Sequence, residues 1–107
     1  AGLVTYRITN HECEILSLDS LREGRGGGRA LIGQVIEIAK ENHCRRVTVT
    51  TTNDNTSAML FYQKRGFAMY RLYVNAMETA RRMKPSIPLT GYNGIPIRDE
   101  IELTMEL

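Results

Sequence analysis

Between Gly24 and Gly28 every residue except Arg25 is glycine. This cluster separates two different periodicities, and that limits the possible folds more than any other feature of the chain. Before it, the run Cys13 to Leu18 alternates residue by residue, with Glu14, Leu16 and Leu18 on one face, as a strand does. After it, Leu31, Val35, Ile38 and Ala39 recur at i, i+4, i+7 and i+8, and Ile32 and Ile36 widen the stripe. That spacing predicts a helix from Arg29 to about Glu41, buried on a broad face. A strand that turns through glycines into a helix brings the backbone close to any ligand and presents unpaired N–H groups at the positive end of the helix dipole. Such a junction favours a phosphate or pyrophosphate. Arg22, Arg25 and Arg29 add positive charge around it.

The remainder of the chain reads as further alternation of the two patterns. Leu3 to Ile8 is rich in β-branched and aromatic residues, and Thr9-Asn10-His11-Glu12 is a turn, so the first two strands form a hairpin. Arg46 to Thr52 is a β-branched run with no charge after Arg46, which predicts an interior strand. Asn53-Asp54-Asn55-Thr56 carries helix-capping chemistry ahead of a short helix, Ser57 to Arg65, and Gly66 stands where a left-handed cap residue belongs. Phe67 to Val74 is strand-like. Asn75 with Glu78 has capping-box spacing, and the helix it opens stops at Pro85. Ser86 to Ile97 is a loop with an Asn93-Gly94 turn. Ile101, Leu103, Met105 and Leu107 alternate with Glu100, Glu102, Thr104 and Glu106, which predicts a half-exposed strand with an acidic outer face. The order β-β-α-β-α-β-α-β describes a mixed α/β system of helices over a sheet, and 107 residues suit one domain, 1–107.

Composition narrows the function classes. A net charge of +2 gives no footprint for nucleic acid, and no apolar run is long enough to span a membrane. Cys13 and Cys44 fit no metal-ligand spacing, so no metal is expected and both read as free thiols. With no secretory signal in view, a reducing, cytoplasmic setting is expected. Two familiar phosphate loops do not fit. Gly28-Arg29-Ala30 lacks the Gly-Lys-Ser/Thr ending of a Walker loop. Gly24-x-Gly26 followed by Arg29 leaves the dinucleotide fingerprint incomplete, with no acidic residue at the ribose position.

Two motifs together carry a family resemblance. Glu23-Gly24-Arg25-Gly26-Gly27-Gly28 resembles the (Gln/Arg)-x-x-Gly-x-(Gly/Ala) signature of the GNAT superfamily of N-acetyltransferases, with Glu23 departing from the usual first residue. Asn55-x-x-Ala58-x-x-x-Tyr62-x-x-x-Gly66-Phe67 resembles that family's second signature, at the expected separation. The resemblance implies a GNAT-like fold with a mixed, mostly antiparallel sheet flanked by helices. The family begins with a strand, two helices and another strand ahead of the Leu3 to Ile8 strand, so a form truncated at the N-terminus is expected here, in which the acetyl-CoA portion remains.

The resemblance also implies roles. Acetyl-CoA is the cosubstrate, and a primary amine, of a small molecule or a protein, attacks its thioester directly. Glu23, Gly24, Arg25, Gly26, Gly27, Gly28 and Arg29 hold the pyrophosphate, chiefly through backbone amides. A backbone N–H near Leu18 faces the developing oxyanion. Tyr62 is the general acid for the departing thiolate, being protonated at neutral pH. Asn55 caps its helix or bonds the pantetheine arm, and Thr50 and Thr51 present backbone groups to pantetheine. Glu14, Asp19 and His11 are candidates for the base, with Glu14 preferred. Arg45, Arg46, Arg81, Arg82 and Lys84 read as solvated charges. An alternative is a catalytically incomplete CoA-binding module, acting as a regulator or completed by a partner chain. The Leu3 to Ile8 strand would be left as an open edge, so a homodimer is expected.

Overall fold

The computed structural model describes residues 2–20 and 27–107. Five strands form one sheet in the order β1-β2-β3-β5-β4, with β1 Gly2–Thr9, β2 Glu12–Ser20, β3 Arg46–Thr52, β4 Ala68–Tyr73 and β5 Glu100–Glu106. Three helices complete the fold: α1 Gly27–Glu41, α2 Thr56–Lys64 and α3 Ala76–Met83. The architecture is the mixed sheet flanked by helices that the sequence predicts. The chain forms two compact units, residues 1–49 with 104–107, and residues 50–103.

In the first unit, β1 and β2 pair antiparallel with a bulge between Thr5 and Tyr6. Asn10 and His11 make the turn with φ of 51° and 63°. Two positive-φ residues match the right-handed twist of a hairpin, which is why asparagine is well placed there. α1 packs on β1 and β2, burying Ile32, Val35 and Ala39 against a core that includes Cys13, Ile15, Val47 and Val49. Each large aliphatic side chain so buried contributes about 1.5–3 kcal/mol. The core face of β2 is therefore Cys13 and Ile15. Leu16, on the other face, is 52% exposed and Leu18 is half-buried. α1 begins at Gly27, two residues ahead of the Arg29 start that the periodicity predicts, because the apolar stripe does not reach into the glycines. Cys44 is buried, and Leu107 N donates to Arg45 O at 2.9 Å.

In the second unit, α2 ends at Lys64 with Arg65 as its cap, followed by Gly66 at φ 104° and the buried Phe67. The left-handed glycine ends the helix as its position predicts. The capping box expected at Asn75 does not form. Asn75 is itself left-handed at φ 61° and makes no side-chain cap; its N–H donates to Asp99 Oδ1 at 2.8 Å. The segment after α3 is an ordered hairpin rather than a plain loop. Ile97 N donates to Leu89 O, Gly91 N to Ile95 O, and Thr90 bridges Pro96 across the Asn93-Gly94 turn. β5 is not a half-exposed strand. It lies between β3 and β4 in the sheet order, so Leu103 and Thr104 are both buried and Glu100 and Glu102 are half-buried.

Candidate functional site

The first unit supplies a strand edge and a helix start. The parallel ladder between β2 and β3 has four pairs, from Glu12–Arg46 to Ile15–Val49. β2 nevertheless continues to Ser20. Beyond Ile15 its backbone is no longer committed to β3 among the described residues, although β1 still pairs with it on the other side. Leu18, the position expected to offer an oxyanion amide, lies in this released stretch. At the start of α1, Gly27 and Arg29 are exposed and Gly28 is half-buried, and the first turn holds no acidic residue. A helix start leaves its first N–H groups without intrahelical partners, and the glycines at Gly27 and Gly28 add no side chain of their own there. Arg22, Glu23, Gly24, Arg25 and Gly26 lie outside the described residues.

Glu14 is half-buried on β2, opposite Arg7 on β1. Arg7 Nη2 donates to Glu14 Oε1 at 2.6 Å, and Thr5 and Ser17 hydroxyls meet at 2.6 Å further along the hairpin. The ion pair fixes the carboxylate on the face opposite Cys13 and Ile15. His11 is exposed in the hairpin turn and Asp19 is exposed near the end of β2.

The second unit holds Asn55 and Tyr62 on α2. Asn55 Oδ1 accepts from Ala58 N at 3.1 Å, so the side chain caps the helix. Tyr62 is 6% exposed and packs edge-on against Phe61 at 5.2 Å and Phe67 at 5.5 Å between ring centroids. Burial pushes its phenol above the ordinary value, which keeps it protonated across the neutral range. A ring held on two sides with a protonated hydroxyl can donate one proton along a fixed direction.

Three residues have a larger part than the sequence assigns them. Asn53 Oδ1 accepts from Arg98 N at 2.9 Å and Asp99 N at 3.0 Å, and its Nδ2 donates to Pro96 O at 2.8 Å. Asp54 is 2% exposed; Oδ2 accepts from Tyr92 N at 3.2 Å, while Oδ1 is buried with no hydrogen-bond partner among the described residues. Arg81, read as a solvated helix end, instead donates to the carbonyls of Pro88 and Ile97. These three fasten the 89–97 hairpin to the turn before α2 and to α3. Three consecutive polar residues before one helix exceed what a single cap uses, and that surplus is the sequence signal for a second partner. Asp99 is also buried, and the Arg98 guanidinium, then the Asn75 N–H, hold its carboxyl below the usual range.

No group of three or more His, Cys, Asp or Glu among the described residues could hold a metal. No helix among them is long and apolar enough to cross a membrane.

Residues 1–67 match the model of the acetyltransferase (GNAT) family. The chain is 52% identical over 106 residues to protein YxbD of Bacillus subtilis (strain 168), covering 99% of this chain and 67% of that protein. It is 54% identical over 100 residues to protein YdhI of the same strain, covering 94% of this chain and 62% of that one. The chain thus spans about two thirds of the length of these relatives. A GNAT family acetyltransferase from Elizabethkingia anophelis, solved with acetyl-CoA bound, superposes at TM-score 0.85 with 27% identity, over 99% of this chain and 68% of that one.

Proposed function

The chain belongs to the GNAT acetyltransferase family, and from that premise we propose that it transfers the acetyl group of acetyl-CoA to a primary amine by direct attack. The observation that carries this reading is the short ladder between β2 and β3, which ends at Ile15–Val49 while β2 runs on to Ser20. A strand edge with uncommitted backbone groups can receive an extended, amide-bearing arm as an added strand would. The pantetheine of CoA is such an arm. The open N-terminal turn of α1, with glycine at its first two positions, supports binding of the pyrophosphate by amides of Gly27 and Gly28 and by Arg29. Glu23, Gly24, Arg25 and Gly26 belong to the same proposed loop.

The chemistry assigns each group one task. The amine lone pair attacks the thioester carbon, a C–N bond forms, and the carbonyl oxygen gains charge. An N–H near Leu18 stabilises that charge; one preorganised donor of this kind is worth about 3–4 kcal/mol. The C–S bond then breaks, and the Tyr62 hydroxyl protonates the thiolate. Glu14, directly or through water, takes the proton that the amine loses. Asn55 keeps α2 capped and so fixes the start of the helix that carries Tyr62.

Thermal unfolding with ligands tests the binding claim. Saturation at about 100 times the dissociation constant raises stability by roughly 2.7 kcal/mol. CoA should give such a shift and ATP should not; the opposite result removes acetyl-CoA from the account. Release of CoA thiol from acetyl-CoA, followed across a panel of amines, tests the transfer itself. Self-association belongs to the same reading and is supported by apolar side chains on both outermost strands, such as Leu3 on β1 and Leu72 on β4.

A further inference from the structure

β4 is the outermost strand on its side of the sheet, and all six of its residues, Ala68 to Tyr73, are exposed. Side chains on both faces are therefore exposed, and α2 touches the strand. Met69, Tyr70, Leu72 and Tyr73 are each at least two fifths exposed, and Val74 just beyond is 61% exposed. The strand contains one charge, Arg71, and no proline. Edges that must remain single are shortened, charged or broken. Here Arg71 is the single such protection, and the other exposed side chains of the edge are apolar or aromatic.

We propose that β4 is an interface for a second copy of this chain, paired antiparallel about a twofold axis that passes beside Leu72. The inference rests on the self-association in the functional reading and names its surface. A twofold axis perpendicular to the sheet pairs a residue with its own copy, so only a few registers are available. Centring on Arg71 sets two guanidinium groups directly opposite, which destabilises a strand pair. Centring on Leu72 removes that opposition. It sets each Arg71 against the partner subunit's Tyr73, an aromatic ring whose hydroxyl donates to a carboxylate, Glu102 Oε1, at 2.9 Å. The cation thus meets a ring and an acidic group rather than its own kind. Arg71 already lies 5.0 Å from the centroid of Tyr70 in its own strand, which is ordinary cation–π geometry. On the other face, Leu72 meets the partner subunit's Leu72, and each Tyr70 meets the partner subunit's Val74, an aromatic–β-branched pair. One face is apolar and the other is complementary in charge, and a single isologous contact closes without leaving a free edge to grow from.

The test uses light scattering and disulfide trapping on the whole chain. Wild-type protein should have the mass of two chains. Leu72→Lys and Arg71→Glu should each reduce it to one, and Arg71→Lys should retain the dimer. Both sites are exposed, and unchanged circular dichroism shows that the fold is intact. Leu72→Cys should form a disulfide with its own copy under mild oxidation, since the native cysteines are buried. Leu3→Lys on β1 should leave the mass unchanged. A wild-type monomer would remove self-association altogether. A dimer that survives Leu72→Lys, or is lost with Leu3→Lys, would keep self-association but overturn β4 as its surface. Absence of the Leu72→Cys crosslink in a dimer would overturn the register and with it the proposal.

Discussion

Single residues divide into those whose chemistry is visible in the sequence and those whose neighbours are not. Tyr62 is of the first kind, since its spacing from Asn55 and Gly66 marks it. Beside the proposed role as acid, its ring packs between Phe61 and Phe67, and the two separate experimentally. Tyr62→Phe keeps the ring and removes the proton, so kcat should fall by about 10²–10⁴ with CoA affinity unchanged, as steady-state kinetics and calorimetry would show. Unchanged kcat removes Tyr62 as the acid. Tyr62→Ala should in addition cost about 3–5 kcal/mol in urea unfolding, because it empties a buried site. Gly91 is of the second kind. A Cβ there would stand 2.0 Å from Asp54 Oδ2 and 2.9 Å from Ile97 Cγ1. Gly91→Ala should destabilise by about 1–3 kcal/mol. Combining it with Asp54→Ala should recover part of that loss. If Gly91→Ala unfolds at the wild-type urea concentration, the close approach is not restrictive. Nothing in the local pattern of Thr90-Gly91-Tyr92 announces this contact, because the atom that needs the space is 37 residues away.

At the scale of elements, periodicity was informative where one face is buried and the other is not. α1 is read correctly because Ile32, Val35 and Ala39 take one side of a regular repeat, and β3 because its uncharged β-branched run suits an interior strand in which Val47, Thr48 and Val49 are all buried. β5 is misread because its alternation is real but its neighbours are remote. With strands on both sides, Leu103 and Thr104 are both covered, and Thr104 Oγ1 donates to Val47 O at 3.4 Å. Asn75 misleads for a different reason. Capping-box spacing says nothing about φ, and a left-handed backbone aims the side chain away from the helix. The 89–97 hairpin has a short ladder of its own but is fastened to its surroundings by side chains. Arg81→Ala should therefore loosen it, seen as faster hydrogen exchange at the amides of Gly91, Ile95 and Ile97. Arg82, which pairs with Glu78 at 3.6 Å on the exposed side of α3, should be replaceable by alanine without that effect. Equal exchange in the two variants would show that Arg81 is not the fastening.

At the scale of the whole molecule, the fold class and the family follow from two motifs and the order of elements, since both signatures stand where the periodicity of the sequence changes. The proposed base is less legible. Glu14 has the right alternation, yet the Arg7 partner that fixes its orientation comes from another strand and from pairing register, which spacing within β2 does not encode. The pH response of the fold is set by a buried group. Burial, and then the neighbouring Cys44, push the Cys13 thiol up to about 11. The folded state thus binds this proton more tightly than the unfolded chain does. Its contribution to stability is complete below the ordinary thiol value and is lost as pH rises towards 11, so alkaline urea titrations should show falling midpoints over that window. Flat midpoints there would mean that Cys13 ionises as freely in the folded state as in the unfolded one. The same burial has a practical side. The reaction releases a thiol, and a chromogenic disulfide reagent that reports it would also react with any accessible cysteine of the catalyst. With Cys13 and Cys44 both buried, the native protein is nearly colourless to such a reagent, and a slow rise in the blank becomes a direct record of the molecule opening.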